Sequence, residues 1–526
     1  MQRDAMIARL EERRSDARPW DILVIGGGAT GLGIAVDAAS RGYDVALVEQ
    51  SDFAKGTSSR STKLVHGGVR YLQQGNISLV MEALRERGIL RTTAPHLVHD
   101  LPFVVPSYAW WESPFYGIGL KVYDLLAGRY GFGGSRHLSP DELLDRIPNI
   151  EREGLRGGTL YHDGQFDDAR LATTLARTAA TQGATLANYV AVAALVKEGE
   201  RVVGAVVEDR EGGRAFEVRA KAVVNATGPF ADAIRRLDDP RAAPMIAPSQ
   251  GVHLVLDRSF LAGDHAIMVP HTADGRVMFA IPWHHVVVVG TTDTPVPAAA
   301  LEPTAHREEI DFILDTARRY LAREPSRADI RAVFAGIRPL VKVGDGQGTA
   351  ALSRDHTIHI DPRSGLTTIA GGKWTTYRRM AEDLVDHVST LAGLEPRPCV
   401  TTTLNLHGWS MHAARDGEFA VYGSDAPAVA ALAASDPALA ARIHPRLPAT
   451  HAEIAWAARN EMARTIDDAL ARRTRSLLFD SRAAVEAAPG VAATMANELG
   501  LDARWQRAQV EAFAKIAHGY LPPGDA

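Results

Sequence analysis

Apolar and polar positions follow two rhythms along the chain. Asp21-Ile22-Leu23-Val24-Ile25 is a short apolar run ending in glycines, the pattern of a parallel strand buried on both faces. Gly31 to Arg41 then carries small residues at helical spacing, and Tyr43 to Val48 is a second buried run ending at Glu49. Together they predict a βαβ unit. Alternation marks the middle region, as in Val202-Val203-Gly204-Ala205-Val206-Val207. Val277 to Pro282 and His285 to Gly290 predict an antiparallel hairpin with a tight Trp283-His284 connection. Thr367 to Ala370 predicts a short strand running into Gly371-Gly372. From about Leu406 onward strand patterns cease, and alanine-rich helical spacing fills His451 to Ser476, Ala483 to Leu499 and Ala503 to His518. The expected class is α/β, with an N-terminal extension over 1–19, an α/β region over 20–400 and an α-helical region over 401–526. The boundary is placed in Glu395-Pro396-Arg397-Pro398, and no internal repeat is visible.

Composition narrows this picture. A chain of 526 residues, 46% hydrophobic and 23% charged, has ample core for two or three domains. A net charge of −5 argues against nucleic acid as a partner. A single cysteine, Cys399, excludes a disulfide within the chain and any CxxC metal site, which fits a reducing, cytoplasmic compartment. Met1 to Pro19 lacks the apolar run of a secretory signal. The longest apolar stretch, Ala184 to Val196, stops at Lys197, short of the roughly 18 residues of a membrane span. Met6, Ile7 and Leu10 share one side of a helix bearing Arg9, Arg13 and Arg14, which suits either a surface helix or rest on an anionic membrane. His284 and His285 read as an exposed hairpin tip, and His356 and His359 lack further ligands at zinc-like spacing, so no metal is expected.

The turn Gly26-Gly27-Gly28-Ala29-Thr30-Gly31 lies between the first strand and the first helix, the context a dinucleotide fingerprint requires. Gly26 allows the tight turn, Gly28 lets the backbone approach a pyrophosphate, and Gly31 lets helix and sheet pack closely. The helix N-terminus offers N–H groups and a positive dipole end to the phosphates. Glu49 is placed to accept hydrogen bonds from ribose hydroxyls and disfavours a 2′-phosphate. A later strand, Val223-Val224-Asn225, returns beside this unit through Ala226-Thr227-Gly228, which points to FAD instead of NAD.

Gly56-Thr57-Ser58-Ser59-Arg60-Ser61-Thr62-Lys63-Leu64-Val65-His66-Gly67-Gly68-Val69-Arg70-Tyr71-Leu72 resembles the signature of FAD-dependent glycerol-3-phosphate dehydrogenases. The likeness continues at Leu101-Pro102-Phe103-Val104, Asp168-Ala169-Arg170-Leu171, Gly290-Thr291-Thr292-Asp293 and Ala335-Gly336-Ile337-Arg338-Pro339-Leu340. It recurs at Ser353-Arg354-Asp355-His356, Gly371-Gly372-Lys373-Trp374-Thr375-Thr376-Tyr377 and Asp467-Asp468-Ala469-Leu470-Ala471-Arg472-Arg473-Thr474. The resemblance implies a glutathione-reductase-like, FAD-binding Rossmann domain, an antiparallel substrate-binding sheet and an α-helical C-terminal domain. It also implies oxidation of sn-glycerol 3-phosphate to dihydroxyacetone phosphate by the aerobic type, with electrons passed to a quinone.

A phosphate monoester is nearly a dianion and calls for fixed cations, for which the arginine fork is suited. By the resemblance, Arg338 and Arg354 hold the phosphate, with Arg70, Tyr71, Thr292 and Lys373 in the same pocket. Oxidation at C2 also needs a base for the hydroxyl proton. His253 matches a histidine the family places near substrate, and it and Arg338 are the expected catalytic residues; a strand histidine among Val252, Leu254 and Val255 equally fits a core position. Gln250 departs from the lysine more usual in the family. Ser58, Ser59, Ser61, Thr62, Lys63 and His66 are expected on the cofactor, as are Ala226, Thr227 and Gly228. Gly371, Gly372 and Lys373 are expected near the flavin, where positive charge stabilises its reduced form. An oxidase making hydrogen peroxide and a non-catalytic flavin sensor are the competing readings. The oxidases' mid-chain insertion and the anaerobic relatives' cysteine-rich extension are both missing. Contact with the inner face of the cytoplasmic membrane stays open, with Trp110, Trp111, Phe115, Tyr116 and Tyr123 as candidates, and so does a homodimer.

Overall fold

Two sheets, one beneath each side of a shared polar loop, organise the computed structural model of the chain. It describes residues 1–12, 18–69, 72, 75–270, 272, 275–342, 355–410 and 417–524. The first sheet is the nucleotide-binding one. Its strand Trp20–Ile25 lies parallel between Val45–Val48 and Arg214–Asn225, with Val24 opposite Leu47 on one side and Val224 on the other. Thr185–Ala187 extends one edge, while Thr367–Gly371 and then His356–Ile360 extend the other. The apolar runs are buried on both faces because helices Ala29–Ser40 and Tyr377–Leu391 cover one and the hairpin Val190–Glu198/Arg201–Asp209 covers the other.

Among the described residues the second sheet has ten strands, and Ile246–Asp257 pairs with both Ala332–Val341 and Val286–Gly290. The predicted hairpin forms as Met278–Trp283 and Val286–Gly290, and His284 takes a left-handed conformation in its turn. His284 is exposed there, but His285 is covered by the ring of Phe479 at 4.5 Å. The sheet is mixed, not purely antiparallel: Ala266–Val269 runs parallel to Val98–Pro106.

Among the described residues no strand follows Gly371. Helices Ser481–Leu499 and Ala503–His518 form where expected, and their apolar faces join Phe334, Val286 and Val288 of the second sheet in one core. The helix anticipated over His451 to Ser476 is broken. It ends at Asn460, resumes as a π-helical turn over Asp468–Arg473, and restarts at Ser476 after Arg475 in the left-handed region. Helical spacing did not register that Asp467, Asp468, Arg472 and Arg473 all turn inward to bond Asp52, Lys55 and one another.

The N-terminal segment is also part of the body. Ile7 and Leu10 of helix Arg3–Glu12 are buried with Trp20, Val207 and Val218, and Arg3 is ion-paired to Asp209 at 2.6 Å. That helix spends its apolar side on the protein, which corrects the membrane reading; Arg13 and Arg14 lie outside the described residues.

Candidate active site

The first strand delivers its chain into a turn that only glycines tolerate. Gly26 has φ +111°, and a Cβ on Gly31 would lie 1.9 Å from the Gly26 carbonyl oxygen. Gly28 caps helix Ala29–Ser40, and the Ala29 N–H of its first turn donates to the Ser58 hydroxyl at 2.9 Å. Behind the turn, Glu49 accepts the Gly27 N–H at 2.7 Å on one oxygen and the Ser51 N–H at 2.9 Å on the other. Burial pushes its pKa up, and these two amides oppose that.

These groups open on a cavity of about 460 Å³. Gly26, Gly28 and Glu49 form one wall, and Ser58 reaches it from the following loop. Ala226, Thr227 and Gly228 form a second wall, and Gly371, Gly372 and Lys373 a third. A turn of backbone amides at a helix end, a ribose-height carboxylate and a lysine beside a glycine pair make a donor set that fits FAD. Gly31 is set back, its part being to bring helix and turn together. Sequence reasoning missed Lys55, Phe230, Trp374 and Met380 on this cavity. Only Trp374 had a signal, through the Gly371–Tyr377 motif; its indole N–H donates to the Ser58 carbonyl at 2.9 Å.

The loop Thr57 to Lys63 divides its side chains between two sides. Ser59, Ser61 and Lys63 do not line the cofactor cavity, contrary to expectation. The cause is Asp168, a buried acceptor at the start of helix Asp168–Thr181. Its Oδ2 takes the Lys63 ammonium at 2.7 Å and the Ser61 hydroxyl at 2.7 Å, and the Ser59 carbonyl accepts from Lys63 at 2.9 Å. Burial lowers the Lys63 pKa to about 7 against the pull of Asp168. Thr62 and His66 face a second pocket instead of the cofactor cavity.

That pocket, of about 230 Å³, has a polar side and an apolar one. Phe103, Tyr161, Met268 and Phe279 form the apolar wall; Thr62, His66, Arg276, Thr292, Asp293 and Arg338 form the polar one. Arg338 projects from Ala332–Val341 and donates to Asp293 Oδ1 and to Thr291 Oγ1, each at 3.2 Å. Thr292 is oriented by accepting the Val252 N–H and donating to Glu309, both at 3.0 Å. Arg276 belongs to no motif, and only its place on the wall exposes it.

His253 stands one hydrogen bond behind this wall. Its Nε2 meets Thr62 Oγ1 at 2.9 Å and its ring stacks on Phe334 with centroids 4.8 Å apart. Burial, followed by the charges of Lys63 and Arg338, holds its pKa well below the usual value, so the ring is neutral at pH 7. Gln250 points away, to Glu309 at 2.8 Å and the Thr304 carbonyl at 3.0 Å, and so meets the pocket through Glu309, which also accepts from Thr292. Lys373 lines the cofactor cavity and not the second pocket, where the resemblance had placed it. Arg70, Tyr71 and Arg354 lie outside the described residues.

Residues 21–378 match the family model of FAD dependent oxidoreductases, and 367–506 match the C-terminal domain of alpha-glycerophosphate oxidase. A probable mitochondrial glycerol-3-phosphate dehydrogenase of Caenorhabditis elegans is 42% identical over 530 residues, covering 94% of this chain and 73% of the relative. The mitochondrial glycerol-3-phosphate dehydrogenase of Homo sapiens is 41% identical over 534 residues, covering 95% and 73%. Among solved structures, the glycerol-3-phosphate dehydrogenase of Bacillus halodurans complexed with FAD superposes with a TM-score of 0.80 at 29% identity, covering 100% of this chain and 99% of that one. An FAD-bound L-alpha-glycerophosphate oxidase of Mycoplasma pneumoniae, at 16% identity and a TM-score of 0.57, shares the fold. With the glycine turn, the split loop and the arginine pocket all set in a chain of this identity to them, the protein belongs to the FAD-dependent glycerol-3-phosphate dehydrogenase family.

Proposed function

We propose that the chain oxidises sn-glycerol 3-phosphate to dihydroxyacetone phosphate and passes the electrons to a quinone. The observation that carries the reading is the second pocket, where Arg338 and Arg276 face the same small cavity across the polar loop from the cofactor cavity. A three-carbon phosphate fits that volume, and two guanidinium groups match its charge. Bound FAD supplies the two-electron acceptor. The chain supplies orientation and the proton path: Thr292 and Asp293 bracket the glycerol hydroxyls, and Thr62 takes the C2 hydroxyl proton while giving its own to His253 Nε2. Burial and the charges of Lys63 and Arg338 disfavour the imidazolium, so the ring takes that proton only as charge develops on the hydroxyl oxygen. Arg354, Arg70 and Tyr71 complete the phosphate site in this reading.

The quinone is a lipid-soluble acceptor, and a peripheral membrane contact goes with it. No helix among the described residues is long and apolar enough to cross a membrane. Helix Glu112–Ala127 supports surface attachment, since Leu125 is 81% exposed and Ile118 70%, with Trp110 before the helix at 78%. Of the aromatics singled out from sequence, Trp110, Trp111 and Phe115 face outward, whereas Tyr116 and Tyr123 are buried. Exposed Lys121, Arg129 and Arg136 border the patch and suit anionic headgroups on the cytoplasmic face. The deciding experiment is anaerobic. Glycerol 3-phosphate should bleach the yellow flavin, and a soluble quinone should restore the colour much faster than oxygen. A flavin that keeps its colour overturns the substrate, and rapid reoxidation by oxygen with stoichiometric peroxide overturns the quinone.

A further inference from the structure

The loop between the two cavities is held from a distance. Ser58 reaches the cofactor cavity and Thr62 the substrate pocket, while the residues between and after them are tied to a buried polar cluster. Its centre is Asp168. Oδ2 accepts from the Ser61 N–H at 2.9 Å, the Ser61 hydroxyl at 2.7 Å and the Lys63 ammonium at 2.7 Å. Oδ1 accepts from Arg475 Nη2 at 2.8 Å and the Ala169 N–H at 2.9 Å. The Ser59 carbonyl is gripped twice, by Lys63 Nζ and by Arg475 Nη2, each at 2.9 Å. Arg475 arrives from the C-terminal helical region, more than 400 residues along the chain.

Burying an aspartate, a lysine and an arginine together is costly, and an apolar trio of similar volume would often hold a core as well. What the charged cluster adds is direction, because each bond ends on a particular loop carbonyl, amide or hydroxyl. The result bears on the site by two routes. Lys63 follows Thr62 in the chain, and its ammonium lies 4.8 Å from the centroid of Phe334, the ring on which His253 stacks. Thr62 and His253 are themselves bonded at 2.9 Å. Lys63 thus adjoins both members of that pair, Thr62 along the chain and His253 across the Phe334 ring.

We infer that Asp168, Lys63 and Arg475 are positioning residues for the Thr62–His253 pair, so that the C-terminal helical region sets the geometry of the substrate pocket. The inference rests on the reading of that pocket as the glycerol 3-phosphate site. It is tested by anaerobic stopped-flow reduction of the holoenzyme with glycerol 3-phosphate, comparing wild type with Arg475→Met and Arg475→Lys. The limiting rate is normalised to bound FAD, with FAD content and melting temperature measured beside it. Misplacement by an ångström can cost on the order of a hundredfold in rate. Arg475→Met should lose about tenfold or more in limiting rate with FAD content unchanged, and Arg475→Lys, which keeps the charge but not the fork, should recover part of it. A wild-type rate per bound flavin in Arg475→Met, whatever its melting temperature, overturns the inference. Should that variant not fold, Ser61→Ala removes the hydroxyl that donates to Asp168 at 2.7 Å and accepts the Lys63 N–H at 3.1 Å, and should still slow reduction about threefold; an unaltered rate there overturns it equally. A wild-type flavin that glycerol 3-phosphate does not bleach counts against the substrate reading, a failure visible before any variant is compared.

Discussion

Arg338 owes its direction to what surrounds its guanidinium. Asp293 and Thr291 hold two of its nitrogens, and Gly251 leaves the space on its third side: a Cβ there would lie 2.4 Å from Nη2. Removing the cation and displacing it should therefore look alike in kinetics. Arg338→Ala should raise KM for glycerol 3-phosphate steeply while FAD stays bound. Gly251→Ala should raise it less, by pushing the fork off its axis, with little change in melting temperature because the end of a flexible side chain gives way. Steady-state kinetics and flavin absorbance check both, and an unchanged KM in Arg338→Ala removes that residue from the phosphate site. At this scale the readable residues were those whose task is local. Gly26, Gly31 and Glu49 act within one βαβ unit, so spacing alone exposes them. Lys63 was misassigned because its partner, Asp168, lies 105 residues away.

The element most dependent on distant partners is the π-helical turn Asp468–Arg473. Arg472 and Arg473 both bond Asp52 in the loop after the second strand, at 2.6 and 2.8 Å, and Arg472 also bonds Asp467 and Asp468. Neighbouring Arg170 grips Glu461 through two bonds of 2.8 Å. The cluster joins the helical region to the nucleotide-binding sheet. Burial alone would raise the Asp52 pKa, but the two arginines more than offset it and hold it below the usual carboxylate value. A carboxylate depressed in this way contributes stability that is present above its unfolded pKa and lost as pH falls through the folded one. Asp52→Asn takes from Arg473 the carboxylate it bonds, while Arg472 keeps Asp467 and Asp468, and should cost about 3 kcal/mol. It should also flatten the acid limb of stability between pH 4 and lower values. Chemical denaturation across pH measures this, and a wild-type acid limb in the variant refutes it.

For the whole molecule, the decisive surface is the outward face of helix Glu112–Ala127. Its inner face closes on Tyr116, Leu120 and Tyr123, while Phe115, Ile118, Val122 and Leu125 are left toward solvent. This is the face on which the proposed membrane contact rests. The double variant Ile118→Ser/Leu125→Ser should lose binding to anionic vesicles and activity with a lipid-soluble quinone. Flavin reduction by glycerol 3-phosphate should be untouched, because the substituted side chains point away from the pocket. Vesicle flotation decides, and full retention on the vesicles refutes the contact.

Periodicity and motif spacing by themselves determined the βαβ unit, the hairpin, the helical C-terminal region and the dinucleotide site, since each is specified by residues that are neighbours in the chain. Tertiary structure decided which of the loop's side chains face a cavity and which face Asp168. It broke the helix predicted over His451 to Ser476, seated the N-terminal helix on the sheet and added Arg276 to the substrate pocket. The loop and the broken helix share one physical reason. Buried charges must find partners, those partners lie hundreds of residues away, and a local pattern of apolar and polar positions carries no record of them.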